Sequence, residues 1–326
     1  MSEPQAKSEP PVETDEREAP VVILNPIGGR GAARHMLPLI ERALRAHRGE
    51  LRVTRASGET TILAREAAIA GRDVVVVGGD GTVNEAASGM LTAGGRVSLG
   101  IVPAGTGNDY AYRAVGLPAD PAAALEIALA GEPVSMDVGV VNGRYFLNAL
   151  GVGIDANIAA TAEGLKGYPG MHGQTLYWIA SLTELLFHYG RCPQLTVTYD
   201  GEPAPSRAFA LADISIGPAY GGGFLINPDA DPRDGWLDVC TIWKPSQLRA
   251  LRLLPMVERG KHITQPEVSR RRVRHIILEA NDVINAHLDG EIMRDRRFEA
   301  RILPAALRVR QRPATDGPAV ARQSTG

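Results

Sequence analysis

Four consecutive valines (74–77) run directly into Gly78-Gly79-Asp80-Gly81-Thr82-Val83-Asn84-Glu85, and no other stretch constrains the fold as much. A strand that is apolar at every position has no face to give to water. It needs cover on both sides, which is the situation of a parallel sheet between two helical layers. The unit recurs along the first part of the chain. An apolar strand over 21–24 leads through a glycine-rich loop into a helix with Leu37, Ile40, Leu44 and His47 on one face. Helices are expected over 62–70 and 83–91, and a further strand over 97–102 is followed by a loop and a short helix.

After about residue 137 the texture changes. Strand-like runs at 137–141, 145–150, 195–199, 209–216, 237–242, 273–279 and 283–288, many separated by Gly, Pro or Asp, suit an antiparallel sandwich or partial barrel. One helix, over 175–189, interrupts them. The expected fold class is therefore α/β plus all-β. A parallel-sheet α/β domain spans 20–136 and a β-sandwich domain spans 137–311, its last segment free to return to the first domain, with the active site in the cleft between them. Residues 1–19 and 312–326 have little to bury and read as disordered tails.

Composition removes several classes. With 35 basic and 37 acidic residues the formal charge is -2, which argues against nucleic-acid partners. There is no apolar run of the length a bilayer requires, and the N-terminus is polar and acidic, so neither a spanning helix nor a signal peptide is expected. The protein is expected to be cytoplasmic. Cys192 and Cys240 are isolated and the seven histidines are scattered, which leaves no disulfide scaffold or zinc spacing.

Three glycine-rich loops leave the strands of the parallel sheet at the same end: Asn25-Pro26-Ile27-Gly28-Gly29-Arg30-Gly31, residues 78–85, and Pro103-Ala104-Gly105-Thr106-Gly107-Asn108-Asp109. That end is where ligands sit in such sheets, and glycine lets backbone N–H groups curl round an anion near a helix N-terminus. Thr82 with Glu85 fits a capping box for the helix that follows. A single Gly-Gly-Asp-Gly is more often a turn. Three loops at matching positions, bringing Asp80 and Asp109 to one side, suit a magnesium-bound nucleotide better. The lysine-based phosphate loop is excluded, because the four lysines all lie elsewhere. The dinucleotide fingerprint also fails, since Arg34 stands near the place of its third glycine and no acid ends the strand near Val53.

Taken in order, Asn25-Pro26 with its glycines, Gly78-Gly79-Asp80-Gly81-Thr82-Val83-Asn84-Glu85 and Pro103-x-Gly105-Thr106-x-Asn108-Asp109 resemble the nucleotide motifs of the diacylglycerol and sphingosine kinase superfamily. The likeness is greatest to bacterial soluble diacylglycerol kinase-type lipid kinases and runs over about 21–310. NAD kinases share the Gly-Gly-Asp-Gly-Thr element. The resemblance implies ATP contacts from Asn25, Pro26, Ile27, Gly28, Gly29, Thr54, Gly79, Asp80, Gly81, Thr82, Val83, Asn84, Glu85, Thr106, Asn108 and Asp109. It implies a structural Mg2+ on Asp231, Asp234 and the Trp236 carbonyl, in a segment where Arg233 replaces an acid. Asp137 would join Asp80 and Asp109 in a network of carboxylates, water and magnesium.

It further implies a general base in Asp289-Gly290-Glu291. Strand alternation puts Val283, Asn285, His287 and Asp289 on one face, so Asp289 leaves the strand on its polar side. Asp289 and Glu291 are both candidates, Asp80 is the next, and a plain hairpin turn at Asp289-Gly290 is the bland reading. The expected activity is phosphorylation of the hydroxyl of diacylglycerol, or a similar lipid alcohol at a membrane surface, by ATP with Mg2+. A sphingoid-base kinase, an NAD kinase and a non-catalytic lipid- or nucleotide-binding regulator are the alternatives, and a homodimer is compatible with the sequence. The 175–189 helix is expected to form core or cleft wall. Arg270, Arg271, Arg272 and Arg274 are a candidate headgroup patch that can equally be a solvated face.

Overall fold

Strands β1 (Val21–Leu24), β2 (Glu50–Val53), β3 (Val74–Gly78) and β4 (Ser98–Pro103) form a parallel sheet in the order β2-β1-β3-β4. The computed structural model describes residues 19–94, 96–165, 168, 173–190 and 192–313. The segments 1–18 and 314–326, nearly all of the two expected tails, lie outside them. Helices α1 (Leu37–His47), α2 (Glu59–Ile69), α3 (Asp80–Thr92) and α4 (Pro121–Ala130) cover the sheet. The all-valine strand divides its side chains between the two layers, as period 2 requires. Val74 and Val76 pack with Ala64, Ala67, Val83 and Met90 of α2 and α3, whereas Val75 and Val77 pack with Ile40, Leu44, Leu125 and Ala128 of α1 and α4.

The second half contains β5 (Glu132–Val141), β6 (Arg144–Phe146), β7 (Ala149–Gly153), α5 (Ile154–Leu165), α6 (Gly173–Thr183), β8 (Gln194–Tyr199), β9 (Glu202–Pro203), β10 (Arg207–Ser215), β11 (Leu237–Trp243), α7 (Gln247–Glu258), β12 (Val268–Val273), β13 (His275–Leu288) and β14 (Glu291–Gln311). Phe146, Leu150, Val197, Phe209, Ile214, Ile276 and Phe298 from these strands share one core. The strand pairs inside this half are antiparallel, among them β10–β11, β10–β7 and β13–β14.

No linker separates the halves. β5 runs unbroken through the 136/137 boundary drawn from sequence and pairs with β14 from Val141↔Ala300 to Glu132↔Gln311. At its far end β14 joins β4 in parallel, through Arg308↔Ser98 and Val309↔Leu99. One sheet therefore passes through both halves. α5 and α7 were not read from the sequence, and they lie on the outer face of β7, β10 and β11, where they matter for the site.

Candidate active site

The three loops pack against one another at the carboxyl end of the parallel sheet. A Cβ on Gly29 would lie 2.1 Å from the Ala104 carbonyl oxygen, and one on Gly105 would lie 2.5 Å from Gly79 Cα. Backbone meets backbone at these points, so only glycine fits. Side chains finish the fastening: Asn25 Nδ2 donates to Thr82 Oγ1 (3.0 Å), and Asn108 accepts from Gly105 N–H (2.8 Å) while donating to its carbonyl (2.9 Å). Gly81 is different. A Cβ there meets nothing within 4 Å, so the first turn of α3 faces open space.

The capping box does not form. α3 starts at Asp80, three residues before the expected start, with Gly79 as its extended cap and no side chain bonded to the first-turn N–H groups. Thr82 is held by Asn25, and Glu85 Oε1 accepts from Gly58 N–H (3.3 Å), so both side chains tie loops together and leave the helix N-terminus bare. A bare N-terminus retains unsatisfied donors and a favourable partial charge for an anion.

Asp80 sits at the centre. Its carboxylate accepts from the N–H groups of Asp109 (3.3 Å) and Tyr110 (3.1 Å), and Asp109 in turn accepts from Gly222 N–H (2.8 Å). Gly222 lies between Gly221 and Gly223, all three at positive φ (64°, 78° and 104°), a run that side-chain-bearing residues rarely adopt. Burial pushes the Asp109 carboxyl up to about 7, with the Asp80 charge adding to the shift. Asp80 is raised by burial, despite its backbone hydrogen bonds, with Asp289 adding to the shift. Acids that hold one another up in this way form a site that a cation would relieve.

Asp289 completes the group from the second half of the chain. Leu147 N–H (2.7 Å) and Asn84 Nδ2 (2.8 Å) donate to its Oδ2, and Asn148 N–H (3.0 Å) and Ala149 N–H (2.9 Å) donate to its Oδ1. These amides are available because the expected 145–150 strand is broken between β6 and β7. Burial raises the Asp289 carboxyl and the four donors oppose the shift. Asn84, expected to touch nucleotide, instead bridges α3 to Asp289 and to the Tyr145 carbonyl (3.2 Å).

Asp80, Asp109 and Asp289 open onto one cavity of about 1220 Å³, mouth included. Beyond the acids its neck carries Asp155, Tyr220 and His287. His287 Nε2 lies 2.7 Å from Asp155 Oδ2, which also accepts from the Tyr220 hydroxyl (2.5 Å). Burial works against the His287 cation, but Asp155, with Asp213 and Asp289 adding, turns the net shift upward. Deeper in, the walls are apolar: Ile158 of α5, Leu211 of β10, Ile242 of β11, and Leu253, Leu254 and Val257 of α7.

Other expected site residues fall elsewhere. The Val83 side chain is in the core and its N–H donates to Gly79 (3.0 Å). Thr54 is buried with its hydroxyl on the Leu24 carbonyl (3.4 Å). Pro26, Ile27 and Gly28 belong to the first loop, and Thr106 is exposed at the tip of the third. Glu291 is exposed and paired with Arg144, and it does not line the cavity.

The structural magnesium site does not fit its residues. Asp231 Oδ1 accepts from Arg233 through N–H (3.1 Å) and Nε (3.2 Å), while Asp234 accepts from Trp236 N–H (3.1 Å) and pairs with Arg272. Guanidinium groups engage the oxygens that a hard cation would need. Among the described residues no three His, Cys, Asp or Glu side chains converge to hold a metal. Nor is Asp137 in hydrogen-bond contact with Asp80 or Asp109. Its two oxygens accept from Gly235 N–H (2.7 Å) and Ala305 N–H (2.8 Å), which pins the 231–236 turn to β14. The arginine run is likewise engaged: Arg270 pairs with Asp229 (3.0 Å), Arg271 stacks over Tyr199 (4.9 Å) and Arg274 over Trp236 (4.7 Å).

A glycine-looped parallel sheet, a β-sandwich sharing its strands, and carboxylates facing an apolar cavity define a two-domain lipid kinase. The comparisons agree. Residues 19–141 match the diacylglycerol kinase catalytic domain, and residues 148–311 match the YegS C-terminal NAD kinase beta sandwich-like domain. A diacylglycerol kinase of Mycobacterium tuberculosis is 35% identical over 297 residues, covering 88% of this chain and 93% of its own. The chain belongs to the diacylglycerol kinase family. In fold it also resembles the crystal structure of a diacylglycerol kinase from Bacillus anthracis (TM-score 0.70, 20% identity, 92% of this chain and 99% of that one). An Archaeoglobus fulgidus NAD kinase in complex with ATP is more distant (TM-score 0.52, 14% identity, 90% and 94%).

Proposed function

We propose that the protein transfers the γ-phosphoryl group of ATP to the hydroxyl of diacylglycerol or a closely similar lipid alcohol, with Asp289 as general base. The observation that carries this reading is the single cavity joining three carboxylates to apolar walls. A hydroxyl at the Asp289 end would leave its acyl chain against Leu211, Leu253 and Leu254, a lining that NAD, polar along its length, would not match. The bare first turn of α3, with open space at Gly81, supports phosphate binding.

Mg2+ carried by ATP would be held beside Asp80 and Asp109, whose mutual repulsion it would relieve, and would neutralise phosphate charge. Asp289 accepts the hydroxyl proton as the new bond forms. Its four donors fix the carboxylate in place, and its raised position above ordinary carboxylates brings it closer to the working pH. Access to the acceptor implies transient contact with a membrane surface, and among the described residues no helix is long and apolar enough to cross one.

The test is to incubate purified protein with radiolabelled ATP, Mg2+ and separate acceptors: diacylglycerol, a sphingoid base and NAD. Label on diacylglycerol is expected. Label on NAD and on no lipid would overturn the reading, and ATP binding without turnover on any acceptor would favour a regulator.

A further inference from the structure

The segment that closes the apolar end of the cavity has a second face. From α6 the chain continues through a π-type turn over Glu184–His188, whose Leu185, with the following Tyr189, lines the cavity. On the opposite side, Leu182, Leu186 and Phe187 are 39%, 50% and 75% exposed. α7 begins against them, because the Gln247 side-chain amide donates to the carbonyls of Leu185 (2.8 Å) and Leu186 (3.0 Å). Leu248, the next residue, is 60% exposed. These side chains form one apolar group on two neighbouring segments whose inner faces are cavity wall.

Three exposed cations lie on or beside these segments. Lys244 precedes α7, Arg252 lies one turn beyond Leu248, and Arg207 stacks on Trp243 (4.7 Å), the residue before Lys244. All three are exposed, and none has an ion pair with a described carboxylate, whereas Arg249, Arg270 and Arg272 each have one. An exposed apolar cluster accompanied by cations that have no ion pair is complementary to an anionic bilayer surface, which offers an acyl boundary beneath charged headgroups.

We infer that the Leu186–Phe187–Leu248 face, with Lys244, Arg207 and Arg252 beside it, is the surface that docks on anionic membranes, setting the apolar end of the cavity against the bilayer. This rests on the lipid-kinase reading above and assigns the surface to it. Of the β12 arginines, Arg270 and Arg272 are held in ion pairs and are not that surface.

The test uses the full chain and vesicles of phosphatidylcholine with or without phosphatidylglycerol, read by co-sedimentation. Wild type is expected to bind the anionic vesicles and to be released by salt. F187S/L248S should bind at least tenfold more weakly, and K244A/R252A should lose the salt-sensitive part. Both should keep wild-type melting temperature and wild-type turnover of a short-chain, water-soluble diacylglycerol, since none of the four residues lines the cavity. Equal vesicle binding by wild type and variants would overturn the inference. So would a concentration-dependent dimer in light scattering that F187S/L248S dissolves without any vesicle binding, which would give the face to a second copy of the chain. Vesicle binding is read without turnover, so failure of wild type to phosphorylate any lipid would count against the proposed activity and not against the surface.

Discussion

Replacing Asp289 by Asn keeps the shape of the side chain and removes its charge, and the hydrogen bonds show what else is lost. An amide can turn its oxygen toward the Asn148 and Ala149 N–H groups, which presents its NH2 to the two donors now on Oδ2, Leu147 N–H and Asn84 Nδ2. Asn84 can rotate to offer its own oxygen only by giving up its hydrogen bond to the Tyr145 carbonyl. The Leu147 N–H cannot, and it is left without an acceptor. The lost hydrogen bond to a charged group is worth about 1.5–3 kcal/mol and the neutral one to Tyr145 about 0.5–1.5 kcal/mol, but removing a carboxylate whose burial is unfavourable returns part of the sum. The expected net destabilisation is about 1–2 kcal/mol, a fall of several degrees in Tm for domains of this size. Turnover should fall far more, by roughly 10²-fold or more, the usual scale for loss of a general base, with KM for ATP nearly unchanged. Steady-state kinetics at saturating lipid, alongside thermal melting, separates the two effects. Asn84→Ala keeps the carboxylate but removes one fastening, and should lose less turnover than Asp289→Asn. A variant D289N with kcat within a few-fold of wild type and an intact fold would refute the assignment, and Asp80 would be the next candidate.

The remaining predictions read other parts of the site. Gly81→Val, with nothing within 4 Å of an added Cβ, should leave Tm unchanged and abolish ATP binding by calorimetry, whereas Gly105→Ala, with Gly79 Cα at 2.5 Å, should destabilise by about 1–3 kcal/mol through overpacking; the opposite ranking would mean the loops are mere turns. Asp109 is raised to about 7 in the folded chain, so the folded state binds more protons than the unfolded one between about pH 4 and about pH 7. Its contribution to stability is therefore greatest at low pH and falls as pH rises toward 7, while turnover rises over the same range; denaturation at several pH values, with contributions from other titrating groups matched in Asp109→Asn, checks the sign. Any rise in Tm that magnesium gives nucleotide-free protein should be the same in wild type and Asp234→Ala, because arginines already engage Asp231 and Asp234, and a rise lost in Asp234→Ala would overturn that reading. Leu254→Trp should shift acceptor preference toward shorter acyl chains, measured as the ratio of kcat/KM for short- and long-chain diacylglycerols.

What the sequence shows and what it hides divide along a physical line. The nucleotide loops are legible because their constraints are local: a strand with no polar face must be covered on both sides, and glycines behind it mark close approach of backbone. β1 lies over 21–24 and β3 starts at residue 74, as the pattern indicates. The capping box misleads because Thr82 and Glu85 have partners 57 and 27 residues away, which spacing along a helix does not reveal. The apolar cavity is hidden for a similar reason. Its walls come from α5, β10, β11 and α7, over a hundred residues of chain, and each residue is indistinguishable from ordinary core until the fold aligns them. Two local signals were available: the glycine run 221–223, whose N–H groups reach Asp109, and Gly151, which has no room for a side chain because Asp155 Oδ2 and His287 Nε2 would lie within 2.0 and 2.2 Å of its Cβ.

The hairpin turn at Asp289 is compatible with the proposed base, and its geometry bears on how the enzyme would work. Asp289 (φ 47°) and Gly290 (φ 92°) are the two residues of a tight hairpin that pairs Leu288 with Glu291, so the turn is real. The same left-handed conformation lets the Asp289 side chain reach back over β6 and β7, where three backbone donors receive it; Glu291, already in β14, is directed to the exposed side with Arg144. The fourth donor, Asn84, belongs to the helix whose N-terminus is offered to phosphate. The proposed phosphate site and base are thus fastened to each other across the cleft by one 2.8 Å hydrogen bond, and beneath it by β5, which is unbroken, and β14, which is irregular between Leu303 and Leu307 but pairs with β5 on either side. A cleft held in this way gains little from domain closure. The helical wall of α5, α6 and α7 is joined to the sheet through side chains, such as Asn285 to Asn157 and His287 to Asp155, and not through a strand ladder, and lipid entry is expected to move that wall while the distance between Asp289 and α3 stays fixed. Cross-linking α6 to α7 should therefore slow turnover of long-chain acceptors and spare ATP binding; unchanged long-chain turnover would show that the lipid enters by another route.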